Sequence, residues 1–90
     1  MNSTKEYKTY LAHTLRNWDE IENSQLCGCL NCGKVYPTDI VEECFGEMES
    51  DELTAICTFC HETYLVGEAS GLKITEDIFK KLKEFRKAYL

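Results

Sequence analysis

A chain of 90 residues, 43% of them hydrophobic, has room for one compact domain but not for a second core of useful size. Charges interrupt every apolar run well short of the roughly 20 residues that span a bilayer, which excludes a transmembrane helix. The formal net charge of −6 works against general phosphate-backbone binding, and four zinc-bound thiolates (−4) with their ion (+2) would take it to −8, so nucleic acid is a poor default partner.

Taken in chain order, the residues from Met1 run directly into an amphipathic pattern, with no apolar signal region or small-residue cleavage site. A reducing cytoplasm is therefore the expected compartment, with the six cysteines as thiols or metal ligands and not as disulfides. Tyr7, Leu11, Thr14, Leu15, Trp18 and Ile21 recur at steps of three and four, which predicts one N-terminal helix over 1–23. Ser3 and Glu6 form a candidate capping box at its start, and Asn23-Ser24 ends it. His13 lies off the apolar stripe and reads as an exposed bystander, whereas Tyr7 and Trp18 read as core.

Residues 27–34 are so rich in glycine and cysteine that a loop is expected there, followed by a short strand at Val35-Tyr36. Pro37, Thr38 and Asp39 then suggest the start of a short helix carrying Ile40, Val41, Cys44 and Phe45, with Gly46 closing it and Cys44 in its core register. An acidic connection follows, including Glu47, Glu49, Asp51 and Glu52. Thr54-Ala55-Ile56 and 63–66 are β-prone on either side of the second cysteine pair, which predicts a small hairpin around it, and 67–71 reads as a turn. Thr75 caps a last helix over 75–89, with Ile78, Phe79, Leu82, Phe85 and Tyr89 as its apolar stripe. Glu76 and Asp77 precede its basic residues, the order that the helix dipole favours.

The chemistry concentrates in two C-x2-C pairs, Cys29/Cys32 and Cys57/Cys60. Two-residue spacing lets a tight turn aim both sulfurs at one point, and two such turns complete a tetrahedron around one ion, with Zn–S distances of about 2.3 Å. Gly33 fits the first turn, because glycine takes backbone angles that other residues avoid. The metal expectation is one Zn2+ per chain at Cys29, Cys32, Cys57 and Cys60, with iron compatible with the same thiolate set. Cys27 and His61 are the candidates for a secondary ligand or a redox role, and the more ordinary reading of His61 is an exposed residue beside the second pair. Cys57-Thr58-Phe59-Cys60-His61 also matches the c-type haem pattern, but that chemistry normally accompanies export. A thioredoxin-like reading needs a βαβ context that so short a chain, poor in strands, does not supply.

All four expected ligands come from the protein, which leaves no open coordination position and marks a structural site, so the chain reads as a non-enzyme with no small-molecule substrate indicated. Lys80, Lys83, Arg86 and Lys87 form a candidate interaction surface, although Glu76/Lys80 and Asp77/Lys81 are ordinary i,i+4 pairs on a solvated face. The partner expected is another protein. The function expected is a protein-interaction module on a structural zinc, with a thiol-based redox or metal-responsive switch and nucleic-acid binding through the last helix as alternatives.

The motif order Asn17-Trp18-Asp19-Glu20-Ile21, then Cys27-Gly28-Cys29-Leu30-Asn31-Cys32-Gly33-Lys34-Val35-Tyr36-Pro37, then Thr54-Ala55-Ile56-Cys57, then Val66-Gly67-Glu68-Ala69-Ser70-Gly71 and Ile74-Thr75 resembles a family of small bacterial cytoplasmic proteins of uncharacterised function. The resemblance spans most of the chain and implies a zinc-ribbon-like protein with the metal role at the four paired cysteines. Thr58, His61, Thr63 and Tyr64 depart from the family's proline, glycine, aspartate and serine. The overall expectation is an α+β fold, a single domain over 1–90, in which a zinc-ribbon-like β-hairpin core over 26–67 is flanked by amphipathic helices.

Overall fold

The structure, a computed structural model, describes residues 3–46 and 53–89. It is α+β, with small antiparallel sheets and three helices among the described residues. Helix α1 spans Ser3–Leu11, α2 Trp18–Glu22 and α3 Glu76–Tyr89, while the strands are β1 Leu26–Cys29, β2 Val35–Pro37, β3 Cys44–Phe45, β4 Thr54–Ala55 and β5 Leu65–Gly67. Strands β2-β1-β5 form one sheet with β1 in the centre, and β3-β4 form a second.

The stretch expected to be a loop at 27–34 is in its first part the central strand. Its registers are Cys27 opposite Tyr36 on one side and opposite Gly67 on the other. Strand alternation then divides the chemistry between two faces. Cys27 and Cys29 point to the side that holds Ile21, Tyr36, Ala55, Cys57 and Leu65. Gly28 and Leu30 point to the side covered by α1 and α3, where Tyr7, Tyr10, Val66, Ile74, Phe79 and Leu82 are buried. Gly28 is there because α3 lies on it: a Cβ at this position would stand 2.7 Å from the Phe79 ring. Thr75 caps α3 as expected, its hydroxyl accepting the Ile78 N–H at 3.3 Å.

The single N-terminal helix expected over 1–23 is instead two helices with a break between them. Arg16 is left-handed (φ 53), and Leu15, expected on the buried stripe, is 66% exposed. Asn17 supplies the reason. Its side chain is buried, donating to Leu65 O at 2.6 Å and to His13 O at 3.0 Å and accepting the Ala55 N–H at 2.9 Å. A continuous helix could not present that amide to β4 and β5 together, and two buried backbone groups would lose their partners. The apolar stripe is real but serves two cores, Tyr7 and Leu11 on one and Trp18 and Ile21 on the other.

The short helix expected after Pro37 is reduced to a 3-10 turn at Thr38–Ile40, and Cys44 and Phe45 are extended, paired with Ala55 and Thr54. Ile56 N–H donating to Glu43 O at 2.9 Å prolongs that ladder, and the Thr58 hydroxyl donating to Ile40 O at 2.9 Å holds the strand beside the second cysteine pair. Cys44 is accordingly half-buried in a strand and not a helix-core residue. The hairpin expected around the second pair is absent, because β4 pairs with β3 while β5 pairs with β1; the hairpin formed by β1 and β2 encloses the first pair. The acidic connection at 47–52 and the Ser3 side chain of the expected capping box lie outside the described residues. No helix among the described residues is long and apolar enough to cross a membrane.

Candidate metal centre

The end of β1 and the entry to β5 frame two turns of the same build. In the first, Gly33 N–H donates to Cys29 O at 2.8 Å and Cys29 N–H to Lys34 O at 3.0 Å. In the second, His61 N–H donates to Cys57 O at 3.0 Å and Cys57 N–H to Glu62 O at 2.9 Å. The residue after each pair is left-handed, Gly33 at φ 77 and His61 at φ 64. Both turns thus aim two sulfurs inward and return the chain.

The four sulfurs of Cys29, Cys32, Cys57 and Cys60 lie within 4.8 Å of one another, and none is in a disulfide. Cys29 Sγ is 3.6 Å from Cys60 Sγ and Cys32 Sγ 3.8 Å from Cys57 Sγ. A tetrahedron with metal–sulfur bonds of about 2.3 Å has sulfurs separated by about 3.8 Å, so the quartet fits a thiolate-bound metal ion. Cys29 and Cys57 are buried, whereas Cys32 and Cys60 are partly open to solvent.

Neighbouring groups donate to two of these sulfurs. Cys32 N–H donates to Cys29 Sγ at 3.5 Å, and the Tyr36 hydroxyl donates to Cys57 Sγ at 3.2 Å while accepting the Thr58 N–H at 3.1 Å. The Cys57 thiol is held down to about 4, first by its hydrogen bond with Cys29, then by the Tyr36 hydroxyl and the Cys60 and Phe59 N–H groups, with burial acting in the opposite sense. Cys29 is pushed up by the same sulfur–sulfur hydrogen bond and by burial. Tyr36 is pushed up by burial and by its bond to Cys57, which keeps it a phenol that can donate. Sequence reasoning gave Tyr36 only a strand position. Its role depends on the β1–β2 register, which the local pattern does not contain.

The two residues considered as secondary ligands stand apart from the quartet. Cys27 is fully buried, its Sγ 3.5 Å from Tyr36 O, and burial together with the nearby Cys57 pushes its thiol up to about 12. His61 is exposed, with Nδ1 3.8 Å from Glu43 Oε1. His13 is not wholly a bystander, since its Nδ1 lies 3.2 Å from Glu20 Oε1.

The candidate interaction residues on α3 divide in two. Lys80, Lys83 and Lys87 are exposed, the Lys83 stem crossing Gly33. Arg86 is not part of a freely solvated face. Its guanidinium stacks 3.9 Å from the Tyr64 ring centroid and donates to Asn31 Oδ1 at 3.2 Å and to the Tyr7 hydroxyl at 3.1 Å, tying α3 to the tip of the first turn. Lys81, expected to pair with Asp77, reaches Glu6 Oε1 on α1 at 3.0 Å. Beside the quartet, Phe59 is 48% exposed, packed edge-on against Tyr36 at 4.8 Å with the Lys34 ammonium 5.2 Å from its ring, and it borders an open groove of about 710 Å3 that runs from Cys32 to Glu76, Lys80 and Lys83.

No protein family, no curated protein and no solved structure matches this chain, so the meaning of the site rests on its own residues.

Proposed function

We propose that this chain is a zinc-ribbon-like cytoplasmic protein in which one structural Zn2+, bound by Cys29, Cys32, Cys57 and Cys60, fixes the two turns, and that the folded body is a protein-interaction module and not an enzyme. The observation that carries the reading is the convergence of four sulfurs from two turns of like build. With all four positions taken by protein thiolates, no coordination site is left for a water or substrate. Metal binding of this kind contributes on the order of 10 kcal/mol to folding, enough to decide whether so small a core is ordered. Zinc is preferred to iron as the common ion of structural four-cysteine sites, and six unpaired cysteines suit a reducing compartment.

The interaction reading is supported by Phe59, an exposed aromatic side chain packed edge-on against Tyr36 at the rim of a groove next to the cysteine turns. A photo-crosslinking residue at position 59 should yield a discrete protein adduct in cells, lost when Cys29→Ser removes the metal. Absence of any adduct from the folded, metal-loaded chain would count against the module.

The thiol-switch alternative has weaker support. Cys27 and Cys29 are two residues apart on one strand, a Cα separation of about 6.6 Å that is at the long end for a disulfide.

A further inference from the structure

A second concavity, of about 390 Å3, lies between α3 and the tip of the first metal turn, lined by Asn31, Lys83, Arg86 and Lys87. Three of its four lining residues are cations, and none is an acid, in a chain whose net charge is −6. Arg86 is already fixed in place, and every group that fixes it is neutral: the Tyr64 ring, the Asn31 amide and the Tyr7 hydroxyl. Two of its five N–H donors serve Asn31 and Tyr7, which orients the guanidinium without cancelling its charge. Lys83 and Lys87 stand at i and i+4 on the same helix face, where like charges repel. Among the described residues no carboxylate pairs with Lys83, Arg86 or Lys87. One oriented arginine and two exposed lysines, none of them neutralised, thus line a single concavity and are complementary to one compact anion.

We propose that this concavity binds a phosphomonoester. A phosphate dianion offers three oxygens and close to two charges, so it can accept from Arg86 and from both ammonium groups at once, whereas a carboxylate offers two oxygens and one charge. A nucleic-acid strand fits less well, because the neighbouring groove along α3 carries Glu76 and Asp77, which repel a run of phosphates. The phosphate belongs either to a phosphorylated side chain of a partner or to a small phosphate ester. The first source rests on the interaction-module reading; the site itself does not.

The test is an NMR titration of the full, metal-loaded chain at low salt, following Arg86 Nε–Hε and the Asn31 and Lys87 amides. The ligands are inorganic phosphate, a phosphoserine peptide, its unphosphorylated twin, and acetate at matched ionic strength. Saturable shifts with phosphate and the phosphopeptide, at least about tenfold weaker in Lys83→Gln/Lys87→Gln, are expected. Tighter binding of the phosphopeptide than of phosphate assigns the source to a protein, and equal binding assigns it to a small ester. Shifts that are absent, that acetate or the unphosphorylated peptide reproduces, or that survive the double substitution would overturn the proposal. Metal content, measured on the same samples, reports separately on the zinc scaffold.

Discussion

Gly33 and His61 occupy equivalent places in the two cysteine turns, each directly after the second cysteine of its pair, and both are left-handed, at φ 77 and φ 64. Glycine accepts that conformation freely, whereas a residue with a Cβ does so at a cost of roughly 1–2 kcal/mol, and histidine is among the less disfavoured. His61→Gly should therefore stabilise the metal-loaded protein by up to about 1 kcal/mol with no change in metal content, because its ring takes no part in the quartet. Gly33→Ala should destabilise by roughly 1–2 kcal/mol, as the new Cβ also meets the Lys83 stem at 2.9 Å. Denaturant titrations of both variants measure these changes; metal loss from His61→Gly would show that the histidine is a ligand after all.

Tyr36 donates to Cys57 Sγ and accepts from Thr58 N–H, so Tyr36→Phe leaves one thiolate with a donor fewer and one amide without its acceptor. Groups that support metal ligands in this way are typically worth 10–100-fold in affinity, and about that loss is expected in chelator competition with the fold retained. Unchanged competition would mean that the hydroxyl only fills space.

The cysteines should separate by reactivity. Cys44, half-buried and outside the quartet, should alkylate first under native conditions, the four ligands only as metal is withdrawn, and Cys27, with no exposed surface, only on unfolding. Peptide mass mapping of a time course gives the order. Early modification of Cys27, or a Cys27–Cys29 disulfide under mild oxidant, would restore the switch reading.

Asn17 satisfies Ala55 N–H and Leu65 O, both in fully buried residues. Asn17→Ala should cost about 3 kcal/mol or more, since each orphaned buried group costs about 1–3 kcal/mol. A loss below about 1 kcal/mol in a denaturant titration would show that water replaces the amide.

These positions also show what the sequence makes legible. The quartet could be read directly because its information is local: two residues between cysteines, and a glycine after the first pair. The cap at Thr75 and the stripe of α3 from Ile78 to Phe85 were legible for the same reason, while the Tyr89 side chain lies outside the described residues. Asn17, Tyr36 and Arg86 were not, since each acts across 21 to 79 residues of chain on a partner fixed only by strand register or helix docking. Local pattern misled over 1–23 and around the second cysteine pair, and at two further places. Glycine and cysteine in 27–34 suggested a loop, yet Gly28 lies in the central strand because Phe79 must lie against it. The apolar spacing of Ile40, Val41, Cys44 and Phe45 suited a helix, but pairing with β4 drew the segment into extended form.

The most direct test of the central claim is native mass spectrometry with elemental analysis on the full chain purified without added metal, alongside serine substitutions at each of the six cysteines. One zinc per chain is expected, lost with the fold in Cys29→Ser and Cys57→Ser, lost or much weakened in Cys32→Ser and Cys60→Ser, and kept in Cys27→Ser and Cys44→Ser. A metal-free folded chain, iron in place of zinc, or full metal occupancy after substitution of any quartet cysteine would contradict it.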